Sequence, residues 1–175
     1  MIEIADYDPH WPDMASAAIT ELQEASPGLF TEIEHIGSTS VPGLAAKPVI
    51  DLMAATASLR EVRGHEPALA RLGFIPHENG MNDRLLYVRA PGGVRTHILH
   101  IVTQASWPTR NQRILRDYLR SHPEETARYA ELKRELVATT VAPGEYTRAK
   151  TAFIQEVTDR ARRERGLPPE PVWEK

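Results

Sequence analysis

The sequence predicts an α+β domain: a small mixed β-sheet with flanking helices and a helical C-terminal half. Two observations carry this. The apolar periodicities run in the order helix, strand, strand, helix, three strands, then three helices. No long polar linker interrupts the 175 residues, a length that fits one domain able to bury roughly 70% of its unfolded surface. The domain is expected over residues 1–166, with 167–175 as a mobile C-terminal tail behind Gly166-Leu167-Pro168-Pro169.

Each element has a local reason. Ile2 to Ala5 reads as a short edge strand or extended arm, and Tyr7-Asp8-Pro9-His10-Trp11-Pro12 as a turn whose aromatics pin the N-terminus. Met14 to Ala25 is helical, started by Pro12 and Asp13 and stopped by Pro27-Gly28. A strand with Ile33 and Ile36 runs into the turn Gly37-Ser38, a short helix follows, and Val49 to Met53 forms a second strand. Leu59 to Leu72 reads as a helix that Pro67 splits or kinks, with Gly73 as its C-terminal cap. Phe74-Ile75 and Leu85 to Val88 are strands around a polar loop, and Pro91-Gly92-Gly93 turns the chain into the strand Arg95 to Val102. Beyond Trp107 come helices at Asn111 to Arg120, Pro123 to about Val137 and Glu145 to about Arg165.

Composition removes several classes of function. Charged residues are 26% and hydrophobic residues 41% of the chain, ordinary globular usage. With 21 Lys+Arg against 24 Asp+Glu, the net charge of −3 gives no global pull toward nucleic acid or an anionic membrane. There are no cysteines, so any metal must be held by oxygen or imidazole. The start Met1-Ile2-Glu3-Ile4 shows neither a basic n-region nor a long apolar stretch, and the expectation is a cytoplasmic protein.

Chemistry concentrates in residues 34–53. Gly37 permits close backbone approach to an anion, and the N–H groups and hydroxyls of Ser38, Thr39 and Ser40 can cradle a phosphate; a plain turn with a cap at Ser40 is the alternative. Pro48 biases Lys47 toward an extended conformation near that turn. Asp51 stands inside the apolar run Val49 to Met53, where a carboxylate is costly unless paired, hydrogen-bonded or metal-bound. His100 alternates with Ile98 and Val102 on a later strand and is the imidazole candidate for a site with Asp51. Of Glu34 and His35, which must face opposite ways, His35 is the one expected to face the site. Arg113, Arg116 and Arg120 share one helix face, read as a solvated stripe or a phosphate-facing one. Lys133 and Lys150 each interrupt an apolar helix stripe, and either snorkel outward or point toward the acid.

The motifs Tyr7-Asp8-Pro9-His10-Trp11-Pro12, His35-Ile36-Gly37-Ser38-Thr39, Lys47-Pro48, His100-Ile101-Val102, Arg116-Asp117-Tyr118-Leu119-Arg120 and Tyr146-Thr147-Arg148-Ala149-Lys150 resemble the GrpB family over most of the chain. That family is similar in fold to nucleotidyltransferases. The wider superfamily marks its site with a Gly-Ser or Gly-Gly turn followed by an Asp-hydrophobic-acid strand. Gly37-Ser38 and Asp51 match, and Met53 stands where the second acid belongs. The resemblance implies a nucleotide or other phosphate-bearing small molecule as partner. Gly37, Ser38, Thr39, Lys47, Arg116, Lys133 and Lys150 would bind phosphate, and Asp51 and His100 would be the catalytic and metal-binding pair. The expected ion is Mg²⁺, with Mn²⁺ or Zn²⁺ suiting an imidazole ligand better. One reading is nucleotidyl transfer to a small acceptor. A second is a non-catalytic nucleotide- or phosphate-binding module, which the family's occurrence beside a dephospho-coenzyme A kinase links to coenzyme A metabolism. A third is a structural Asp51–Lys150 pair.

Overall fold

A computed structural model describes residues 3–139 and 142–172 of the chain. Helix α1 (Trp11–Ala25) leads into β1 (Phe30–Ile36), β2 (Ile50–Thr56), α2 (Leu59–Gly64), α3 (Glu66–Arg71), β3 (Phe74–Pro76), β4 (Leu85–Arg89) and β5 (His97–Thr103). Helices α4 (Asn111–Ser121), α5 (Pro123–Ala138) and α6 (Pro143–Glu164) follow. The sheet order is β1-β2-β5-β4-β3. Strands β2 and β5 are parallel and the other neighbours antiparallel, so the sheet is mixed, as expected.

The periodic reading places most of these elements, with two informative differences. Helix α1 begins at Trp11 rather than Met14, because Pro12 lies in its first turn, where a missing N–H costs nothing. The 59–72 segment is two helices broken at His65, and Pro67 occupies the first turn of the second. Among the described residues, the N-terminal arm bridges Ala5 to Ala46, with backbone hydrogen bonds of 2.9 and 3.0 Å in both directions. Tyr7 packs edge-on against buried Trp11 at 5.5 Å between centroids.

Strand register divides the sheet into two faces. Leu52, Ala54, Leu99, Ile101, Tyr87 and Phe74 form one, buried under Trp11, Ala18 and Leu22 of α1, Val62 of α2 and Leu69 of α3. Asp51, Met53, Ile98, His100, Leu86 and Val88 lie on the other. That face has only a small apolar cluster of its own: Ile36, Met53, Ala55, Val102 and Trp107. A second core holds the helical half together. Val41, Leu44 and Ala45 from the β1–β2 connection plug into Ile114, Tyr118, Tyr129, Phe153 and Val157 of α4, α5 and α6. The connection that carries the Gly-Ser turn is therefore anchored in both halves of the molecule.

The segment 167–172, expected as a mobile tail, folds back on α6. Leu167 and Val172 pack on the helical core, Arg162 donates Nε–H to the Pro168 carbonyl at 2.7 Å, and the Val172 N–H donates to Gln155 Oε1 at 2.7 Å. Residues 173–175 lie outside the described part. Among the described residues, no helix is long and apolar enough to cross a membrane.

Candidate functional site

Gly37 is the pivot. Its backbone takes φ +74°, ψ −177°, a region that essentially only glycine occupies. A Cβ added there would fall 2.6 Å from Asp51 Oδ2. The turn and the acid are thus in direct contact, the arrangement their spacing implies. Register explains it: Ile36, the residue before the turn, pairs with Asp51. The turn continues as a short 3-10 segment, Ser38–Ser40, in which Ser40 Oγ donates to the Gly37 carbonyl at 2.5 Å.

The helical half holds this turn from behind. Arg116 donates from Nη1 to the His35 carbonyl at 3.0 Å, and Arg120 from Nε to the Ser40 carbonyl at 2.9 Å. Lys133, 3% exposed, donates from Nζ to Ser38 Oγ at 2.5 Å and to the Ala45 carbonyl at 3.2 Å, with its ammonium 4.2 Å from the Tyr129 ring centroid. Two arginines of the α4 stripe, Arg113 and Arg116, are therefore engaged by carboxylates, while Arg120 is exposed. Arg113 and Arg116 are both bonded to Glu34, and Arg116 to Asp117 as well. Arg116, expected among the phosphate ligands, is placed instead to fix the strand that leads into the turn. Burial raises the Glu34 carboxyl, but hydrogen bonds from Arg113 and Arg116 outweigh it and hold the group below its ordinary range.

The preference for His35 over Glu34 is corrected by the register. Glu34 pairs with Met53 and so shares the Asp51 face, whereas His35 pairs with Leu52 on the opposite one. His35 serves the turn from there, with Nε2 2.8 Å from the hydroxyl of buried Thr39. Burial, reinforced by the Arg120 charge, lowers its pKa to about 4, with Asp51 opposing. His97 is likewise lowered to about 4, by burial first and then by Arg89. Both imidazoles are neutral in the folded protein at pH 7. Unfolded histidines take up protons below about 6.5, so between pH 6.5 and 4 the unfolded chain binds more protons and stability falls as pH falls. The urea midpoint should be flat above pH 7 and decline through this window. The decline should be shallower in His35→Gln, where one of the two groups no longer titrates.

On the open face, His100 Nε2 lies 3.6 Å from Asp51 Oδ1. His100 is thus the imidazole placed beside Asp51. The His100 Nδ1 is buried and has no hydrogen-bond partner among the described residues. The second-acid position is closed: Met53 is fully buried against Trp107 and Val102. Among the described residues no group of three or more His, Asp or Glu is placed to hold a metal. Two donors 3.6 Å apart can still both reach one ion at about 2.1 Å from each. A carboxylate and an imidazole fit a cation that takes its remaining ligands from water or phosphate. Lys47 and Lys150 both lie against Tyr146, 5.5 and 5.9 Å from its ring centroid. Direct contacts join Gly37 to Asp51, Asp51 to His100, and Ser38 to Lys133. The clamp of Arg113, Arg116 and Arg120 was visible in sequence as a spacing, without its partners.

The GrpB protein family model matches residues 1–160. A UPF0157 protein of Pseudomonas aeruginosa is 36% identical over 172 residues, covering 91% of this chain and 67% of that protein. The UPF0157 protein YqkA of Bacillus subtilis is 32% identical over 164 residues, covering 93% of this chain but 48% of its own length, so the chain spans about half of that relative. Among solved structures, the conserved protein GrpB from Enterococcus faecalis superposes with a TM-score of 0.84 at 28% identity, covering 94% of this chain and 99% of that one. The terminal uridylyl transferase 4 of Trypanosoma brucei reaches a TM-score of 0.57 at 13% identity, covering 97% of this chain and 64% of that one, which shows a shared nucleotidyltransferase-like fold. With a family model spanning nearly the whole chain and relatives aligned along almost all of it, this protein belongs to the GrpB family.

Proposed function

We propose that the chain binds a nucleotide or another phosphate-bearing small molecule at the Gly37–Ser38 turn, with one divalent cation between Asp51 and His100. The observation that carries this is the contact of the glycine turn with the acid: space for a Cβ is missing at Gly37 because Asp51 fills it. Backbone N–H groups and the Ser38 hydroxyl would receive phosphate oxygens. Lys133, already hydrogen-bonded to that hydroxyl, adds positive charge beneath it. The cation, when bound, supplies charge that neutralises phosphate oxygens. The likeness in fold to a uridylyl transferase whose structure holds dUTP agrees with such a ligand.

Burial of Met53 favours binding over two-metal catalysis, since phosphoryl-transfer sites of that kind need carboxylates for both ions. The preserved turn–acid contact favours a second reading, nucleotidyl transfer. An acceptor hydroxyl would form its bond to the α-phosphorus as the bond to the bridging oxygen breaks, pyrophosphate would leave, and the hydroxyl proton would pass to solvent water.

Titration calorimetry with each nucleoside triphosphate in Mg²⁺ and in Mn²⁺, alongside a pyrophosphate-release assay, tests both. Binding is expected, and Asp51→Asn should weaken it about tenfold or more, since a charge-assisted contact is lost. Release that disappears in Asp51→Asn would establish the transfer reading. Absence of binding for every triphosphate with either ion overturns the proposal.

A further inference from the structure

A row of side chains runs across the open face of the sheet, away from the Gly37 turn. Asp51 of β2 pairs with Ile98 of β5, Ile98 with Val88 of β4, and Val88 with Ile75 of β3. These side chains therefore stand next to one another from strand to strand, and three strand spacings put Ile75 about 14 Å from Asp51. Leu86 stands beside Val88 in the next row, where it pairs with His100.

The chemistry of this face does not match its exposure. On the opposite face of the same strands Phe74, Tyr87 and Leu99 are buried beneath the helices. A sheet covered on one side ordinarily turns polar residues outward on the other. Here the outward positions are aliphatic: Ile98, Val88 and Leu86 are half-buried, and Ile75 is 53% exposed. Among the described residues no core cluster takes in any of these aliphatic side chains. Contiguous apolar strips rimmed by polar groups mark ligand grooves. The strip is far smaller than the roughly 20–30 residues per side that a stable protein interface engages, so its size fits a small molecule. Its charged end, Asp51, is the acid in contact with the Gly37 turn, with His100 beside it.

We propose that the phosphate-bearing ligand is a phosphate ester with a hydrocarbon body, which lies along Ile98, Val88 and Ile75 while the phosphate sits at the Gly37–Ser38 turn. This assignment rests on the phosphate reading of the turn and narrows it to a ligand class. The length of the row sets a body of up to about 14 Å. The side chains of Ile98, Val88, Leu86 and Ile75 hold no donor or acceptor, so the strip selects by apolar area removed from water and not by the polar edge of a base.

Calorimetry on the full chain in Mg²⁺ with ethyl, butyl and octyl phosphate tests this. Affinity is expected to rise along the series, each methylene on a half-covered strip contributing about a factor of two, so that octyl phosphate binds at least about tenfold more tightly than ethyl phosphate. Val88→Thr, close to isosteric, should weaken octyl phosphate several-fold and leave ethyl phosphate within about twofold. Ile75→Ser changes an exposed position on an edge strand, which keeps the test free of folding defects. It should weaken octyl phosphate and leave butyl phosphate unchanged. A flat series with ethyl phosphate bound overturns the hydrocarbon assignment alone, and so does an unchanged octyl affinity in Val88→Thr. Absence of binding for every ester overturns the phosphate reading of the turn and this assignment with it. A dimer in sedimentation equilibrium that Ile75→Ser dissociates also overturns the assignment, because a second copy then covers the strip.

Discussion

Gly37→Ala should abolish nucleotide binding and lower the stability of the folded chain by about 1–3 kcal/mol from the backbone conformation alone. Two effects act at the same atom. An alanine at φ +74°, ψ −177° has no relaxed conformation to occupy. Its Cβ would also lie 2.6 Å from Asp51 Oδ2 and 3.0 Å from Asp51 Cβ. The turn cannot retreat, because Arg120, Lys133 and Arg116 hold the carbonyls and hydroxyl on either side of it. Asp51 must therefore yield, and it would do so away from the turn, separating the acid from the phosphate cradle. Gly43 provides the control within the same connection. It too has a positive φ, +81°, but a Cβ there meets nothing within 4 Å. Gly43→Ala should thus show a loss of stability of the same order with nucleotide affinity retained. Urea midpoints for the two variants, set beside calorimetry with a triphosphate and Mg²⁺, separate strain from displacement. Equal affinities in both variants would mean that the Gly37–Asp51 contact plays no part in binding.

Part of this site was legible in sequence, and the division has physical causes. Gly37 and Asp51 could be singled out because each residue type is anomalous in its surroundings: a glycine ending a strand, and a carboxylate within an apolar run. Pro67 could be read as a break because proline removes an N–H wherever it stands. Strand alternation states that Glu34 and His35 face opposite ways, but the face is decided by the partner: pairing of Ile36 with Asp51 puts Glu34 on the open side. The spacing of Arg113, Arg116 and Arg120 identifies a stripe and is silent about what the stripe meets, since the Glu34 carboxylate and the Ser40 carbonyl are some 80 residues away in the chain. The segment 167–172 looked mobile from its prolines, although its hold on α6 comes from Arg162, Gln155 and the packing of Leu167 and Val172, which no local pattern announces. Long-range polar contacts, rather than periodicity, are what the sequence left unread.

The largest loss of stability should follow removal of the Lys133 side chain. Lys133→Ala leaves the carbonyl of fully buried Ala45 and the Ser38 hydroxyl without their ammonium donor, and removes a cation held 4.2 Å from the Tyr129 ring centroid. An orphaned buried carbonyl costs about 1–3 kcal/mol, and a desolvated cation–π contact contributes about 2 kcal/mol. Partial relaxation of the cavity should bring the total to about 3–4 kcal/mol, seen as a lower urea midpoint with little change in m-value. Lys133→Met separates the two contributions. It restores apolar volume over Tyr129 and still leaves Ala45 unsatisfied, so it should recover part of the loss and no more. The hydrogen bond to Ser38 ties this stability effect to the site. If the phosphate cradle depends on a fixed turn, Lys133→Met should weaken nucleotide binding more than its midpoint alone would suggest. Full affinity in a folded Lys133→Met would show that the turn keeps its shape without the lysine, leaving Arg116 and Arg120 as the groups that hold it.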